Sequence, residues 1–249
     1  MDIHNPKGPI RGWRELAREI GIIVIGVLIA LGAGQVAETL RERHDAAEAR
    51  AAIRAEIAQN LGRMTVRARS DDCVKTRLTE VGGLIDKWAG GRPPSTPVWI
   101  GRPQRFTMYT AGFAAATSGG RASLLPREEQ AAYGRIYALL EVFSGAIERE
   151  RSAWAQIRVL EDAPRFNAAL EADLRMARQE AANDRAGIAQ ATREALRNSQ
   201  AIGIRPDLSS WPDARAQGQG MVGVCIPMNT PRDQAIEMFY GGGPRTSEP

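Results

Sequence analysis

Between Ile20 and Ala37 the chain reads IGIIVIGVLIALGAGQVA, with no charge anywhere and a basic tail in front of it. The stretch free of both charge and amide, Ile20–Gly34, has 15 residues. As a helix it rises about 22 Å, and extension to Ala37 gives about 27 Å, against a hydrocarbon core of ~30 Å. That is short for a membrane span but workable, because Arg18 and Arg41 can snorkel to the headgroups. A helix buried in a soluble core has no need to stay free of charge on every face for five turns.

Two membrane readings compete: an uncleaved signal anchor, and a signal peptide cut after Gly32-Ala33-Gly34. The tail is long for a signal peptide, carries Asp2, Glu15 and Glu19, and is expected to be helical from Trp13. Helical periodicity also runs past Gly34 without a turn signal, so the anchor is preferred. Lys7, Arg11, Arg14 and Arg18 face Arg41, Arg43, Arg50 and Arg54 across the run, and the nearer charges favour the amino end inside. The expected organisation is a cytoplasmic tail (1–19), a transmembrane anchor (20–37), a helical domain (38–203) and an irregular extension (204–249). The last two would lie outside a bacterial inner membrane, in the periplasm.

At 43% hydrophobic and 25% charged, the chain can build a core. A net charge of +4 invites a nucleic-acid reading. Yet Lys7, Lys75 and Lys87 are the only lysines, and the arginines alternate with carboxylates, as in Arg41–Arg43 and Glu148–Arg151. These blocks read as solvated helix faces, without the one-signed stripe that a phosphate backbone needs. No nucleic-acid partner is expected.

The rest of the chain is patterned for helices. Ile53, Ile57, Leu61 and Met64 form one apolar stripe. Val74, Leu78, Val81, Ile85 and Trp88 step by four and three, which suits either a bundle core or an oligomer seam. Ser70 with Asp71 and Asp72 can cap a new helix there, or one helix can run through; Gly82-Gly83 weakens it and Gly90-Gly91 ends it. A proline-bearing linker over 92–104 holds a brief extended piece at Val98–Ile100, and a short helix is expected over Phe106–Thr117. Leu125-Pro126-Arg127-Glu128-Glu129 starts a long helix with Tyr133, Ile136, Tyr137, Leu140, Phe143, Ile147 and Trp154 on its apolar face. Asp162 and Pro164 break it, and Phe166, Leu170, Leu174, Ala177, Ala181, Ile188 and Ala195 mark the next helix. A small strand is expected within Gly218–Met228, a last short helix over Pro231–Tyr240, and a disordered tail from Gly241. The fold class is mainly α: a transmembrane helix, then an antiparallel helical bundle with an irregular C-terminal extension.

Gly32-Ala33-Gly34-Gln35-Val36-Ala37 matches the dinucleotide fingerprint G-x-G-x-x-A. That chemistry needs a strand, a tight turn, a helix and an acidic residue closing a second strand. Glu56 falls near the right distance but inside helical sequence, so a dinucleotide-binding oxidoreductase is only the alternative. Gly26, Ala30 and Gly34 put three small side chains on one helix face, where a second membrane helix could approach and form a homo-oligomer. Cys73 and Cys225 either pair in an oxidising compartment or stay separate buried thiols; the sequence leaves both open. His4 and His44 cannot assemble a zinc site with neighbours, and no cofactor is expected. Trp99, Phe106, Tyr109 and Phe113, with Tyr133 and Tyr137, form either core or the lining of a pocket, and Arg102 and Arg105 either bind an acidic group or solvate a loop.

The order of basic tail, Arg18–Leu31 (REIGIIVIGVLIAL), then an Ala/Glu/Arg helix with Asn60-Leu61, resembles a group of uncharacterised bacterial single-pass inner-membrane proteins. Thr117-Ser118-Gly119-Gly120, Leu125-Pro126, Glu128-Glu129 and Tyr133/Tyr137 are similar to a second block in that group. The resemblance implies membrane attachment and a helical exterior domain, and supplies no catalytic residues. Interaction, scaffolding or sensing at the envelope, with the bilayer and an envelope protein as partners, is the expected role.

Overall fold

The structure, a computed structural model, describes residues 12–92, 99–162, 165–211 and 222–240. Its first element decides the layout. Helix α1 runs without interruption over Trp13–Ala68, 56 residues and about 84 Å long. The apolar half stands clear of the rest of the protein: its most apolar window has a mean hydropathy of 2.4 and is 0% buried, long and apolar enough to cross a membrane. From Ala49 onward the same helix is the centre of a core, with Ile53, Ile57, Leu61 and Met64 all fully buried. Each contributes roughly 1.5–3 kcal/mol by leaving water.

Among the described residues five more α-helices follow: α2 (Asp71–Ala89), α3 (Ala111–Ser118), α4 (Arg127–Ile157), α5 (Ala168–Ala201) and α6 (Arg232–Tyr240). Side-chain pairings give their directions. Arg50 meets Glu129 and Arg67 meets Glu150, so α4 runs parallel to α1. Asp71 meets Arg185 and Asp86 meets Arg175, so α5 runs against α2. Arg54 reaches the carbonyls of Ile202 and Gly203 at the end of α5, which therefore runs against α1 as well. The bundle is thus α1 followed by α2 in one column, with α4 and the antiparallel α5 beside it.

The chain breaks between α1 and α2, but Ser70 does not cap the new helix with its side chain. Its hydroxyl donates back to the Arg67 carbonyl at 2.9 Å. The stripe Val74, Leu78, Val81 and Ile85 packs inside the chain against Leu174, Ala177 and Ala181 of α5, and Trp88 stacks on Phe166 at 5.3 Å. It is bundle core. Gly82, expected only to weaken α2, makes room for Arg178, whose Nε donates to the Leu78 carbonyl at 2.7 Å.

Two expectations fail for the same reason. The helix expected from Phe106 starts only at Ala111, because long-range partners hold the preceding residues out of a helix. Asn60, fully buried on α1, takes the Tyr109 N–H on its Oδ1 at 2.8 Å and donates from Nδ2 to the Tyr109 carbonyl at 2.6 Å. Glu56 then accepts the N–H groups of Gly112 at 2.7 Å and Phe113 at 3.2 Å, capping α3 from another helix. The strand expected within Gly218–Met228 is a 3-10 turn at Gly223–Cys225, and among the described residues there is no strand. Val98, Pro164 and the tail from Gly241 lie outside the described residues.

Residues 204–240, expected to be an irregular extension, are drawn onto the bundle where they are described. The Asp207 N–H donates to the Ala58 carbonyl at 2.8 Å, and Gly62 leaves no room for a Cβ beneath the Asp207 carbonyl. Ile204, Val224, Ile226 and Ala235 are buried.

Candidate functional site

At the end of α1 farthest from its apolar half, three pieces meet: residues 99–105, the 3-10 turn after α4 (Arg158–Asp162), and residues 222–240, which end in α6. Buried polar groups hold them together. Arg77 of α2 donates to the carbonyls of Trp99 (2.8 Å), Ile100 and Ile226 while pairing with Glu80. Burial lowers its pKa from the ordinary arginine value, and Glu80 offsets part of that. Glu161, also buried, accepts the N–H groups of Ile100 at 3.1 Å and Gly101 at 2.9 Å, and pairs with Arg158 at 2.8 Å. The Trp99 indole donates to the Gly223 carbonyl at 2.8 Å. Cys73 and Cys225 are joined as a disulfide, tying this layer to α2.

The layer leaves a cleft of about 660 Å³ against the second half of α4. Arg151, Trp154 and Arg158 come from α4 and its end, Arg102 and Arg105 from the linker, and Val222 and Phe239 from the C-terminal piece. A smaller hollow of about 390 Å³ adjoins it, sharing Arg102, Arg158 and Phe239 and adding Trp99 and Arg232. Glu150 lines the floor, and Arg67 neutralises it, donating to both its oxygens at 2.6 and 2.9 Å in a pair that is 1% and 3% exposed. Burial raises the Glu150 carboxyl above its usual range more than the Arg67 guanidinium lowers it.

Charge is unevenly compensated here. Arg158 is matched by Glu161. Arg105 at 3.7 Å and Arg151 at 2.9 Å share the single carboxylate of Glu148. Among the described residues no carboxylate lies within 4 Å of Arg102, whose guanidinium faces the Phe239 ring at 6.0 Å.

The expected site residues fare differently. Gly26, Ala30 and Gly34 share an exposed face of α1, with open space around both glycines. Gly32–Ala37 is helical throughout, so the strand and tight turn required to cradle a dinucleotide are missing there; this corrects the alternative reading. Glu56 serves α3 and the Tyr137 hydroxyl instead. The aromatic residues do not line one pocket. Phe113 stacks on Tyr137 at 4.1 Å, Tyr109 lies under Arg63 at 3.6 Å, Phe106 meets Trp211 edge-on at 5.7 Å, and only Trp99 reaches the cleft region. Arg102 and Arg105 do reach it. The Glu148–Arg151 block, expected to be a solvated face, instead sends Glu150 into the core and Arg151 to the cleft wall. Alternating signs hide this, because the period of α4 separates the two only once its apolar face is known.

Gly101 sets the wall carrying Arg102. Its φ is +67°, and a Cβ would run into the Gly223 carbonyl. Gly101→Ala is expected to cost about 1–3 kcal/mol from backbone strain alone. A lowered urea midpoint with unchanged helical content by circular dichroism checks it.

No protein-family model, curated protein or solved structure matches this chain.

Proposed function

We propose that this is a single-pass protein of a bacterial inner membrane, with its amino end inside and its helical domain in the periplasm. There it serves interaction, scaffolding or sensing rather than catalysis. One observation carries the reading: a single uninterrupted helix whose first half is apolar and uncovered and whose second half is the spine of a bundle. Lipid is the solvent that such a first half requires. The Cys73–Cys225 disulfide supports an oxidising compartment for the bundle, and the resemblance drawn from Arg18–Leu31 supports the bacterial envelope. The protein acts by holding a rigid domain at a set height above the bilayer, where its far end meets a partner or ligand.

Alkaline carbonate extraction with C-terminal reporter fusions tests this. The full-length chain is expected to stay in the membrane pellet, with a fused alkaline phosphatase active and a fused cytoplasmic fluorescent protein dark. Release into the supernatant overturns the anchor, and the opposite reporter pattern overturns the periplasmic placement.

A further inference from the structure

We infer that the cleft between α4 and the C-terminal layer binds a small organic dianion built on an apolar, ring-sized body. The inference deepens the sensing role proposed above and depends on it only for biological meaning.

Arg105 and Arg151 share one carboxylate, Glu148, and Arg102 has none within 4 Å among the described residues, so this wall holds two positive charges in excess. Mutual repulsion disfavours holding three guanidiniums around one hollow unless an anion relieves it. Each guanidinium is a planar fork that matches a carboxylate or phosphate. The opposing surfaces supply the second half of the chemistry. Ile147, Trp154, Val222 and Phe239 are apolar or aromatic, and about 660 Å³ is the size of a cleft for a small molecule rather than for a bare ion.

The wall is also held rigidly at its backbone. Arg102 sits on backbone fixed from both sides: the Val224 N–H donates to its carbonyl at 3.2 Å, and the adjoining Gly101 N–H is held by buried Glu161. Arg151 rises from a continuous helix. Backbone fixed in this way loses little freedom when a ligand arrives, so the ordering cost falls on the exposed side chains alone. Position argues against the lipid of the anchoring bilayer as the occupant. The Arg67–Glu150 pair under the cleft lies some thirty residues of continuous helix beyond Ala37, a rise of roughly 45 Å. The ligand is a soluble molecule.

Calorimetric titration of the full-length chain in maltoside micelles tests this, with naphthalene-2,6-dicarboxylate as probe. Its diamide provides the body without charge, and inorganic phosphate provides charge without the body. Saturable binding of the dicarboxylate at one site per chain is expected, with both controls at least about tenfold weaker and affinity falling as salt is raised. Arg102→Gln with Arg151→Gln is expected to weaken the dicarboxylate at least about tenfold, with helicity and melting midpoint unchanged because both side chains are exposed. Exposed Arg193→Gln is the control that keeps full affinity.

Undiminished binding in the double variant, or no salt dependence in the unaltered chain, overturns the site. Phosphate binding as tightly as the dicarboxylate overturns the apolar body, and equal binding of the diamide overturns the anion. Loss of carbonate-resistant membrane attachment would leave all of these measurements standing, so the two readings fail separately.

Discussion

Reducing the Cys73–Cys225 bridge is expected to cost the bundle up to ~5 kcal/mol, the largest single effect available in this protein. The bond joins residues 152 apart, so the unfolded chain it constrains is long and the entropy it removes is correspondingly large. Its position concentrates the effect. Cys73 lies at the start of α2 and Cys225 in the 3-10 turn that supports the cleft, so the opened bond frees residues 222–240, α6 included, before it frees α1, α2, α4 and α5. Urea unfolding followed by circular dichroism, with and without reductant, measures the loss. Cys73→Ser with Cys225→Ser should reproduce it and make reductant irrelevant. Hydrogen exchange should accelerate first over 222–240. An unchanged midpoint in reductant would show that Arg77 and Glu161 hold the layer alone.

The second large effect concerns the ion pair at the core of α1 and α4. Glu150→Leu leaves Arg67 charged, about 1% exposed and without its carboxylate, which is expected to cost about 3–5 kcal/mol. The remaining partner cannot take up the load: Ser70 Oγ receives only a long bond of 3.4 Å from Arg67, and Arg67 Nε has no acceptor among the described residues. Arg67→Met combined with Glu150→Leu removes both charges and fills the space with apolar volume, so most of the loss should be recovered. A thermal unfolding series over the two single variants and the double variant reads out the coupling. Simple additivity would mean that the two charges do not act as one unit.

What could be read before the structure follows from where physical information is local. The apolar faces of α4 and α5 announce themselves by period, and Tyr133, Ile136, Leu140 and Phe143 are buried as that period requires. Pro126 ahead of Glu128 and Glu129 marks the start of α4 in the same way. Two things were not legible. One is which charges go inside: Arg67, Arg77, Glu150 and Glu161 sit among similar residues that face water, and only a partner distant in sequence distinguishes them. The other is the backbone of 101–113 and 222–226, where local preference lost to Asn60, Glu56 and Arg77 reaching across from the bundle. The cleft is made of those two unreadable things, so Arg102 and Arg105 could be noticed while Arg151 and Arg158 could not.

Because α1 is one helix from Trp13 to Ala68, its two halves share a rotational phase as well as an axis. One residue added among 38–45 would turn everything beyond it by about 100° and lift it by about 1.5 Å. The direction in which the arginine wall points is therefore set by residue count along a single rod.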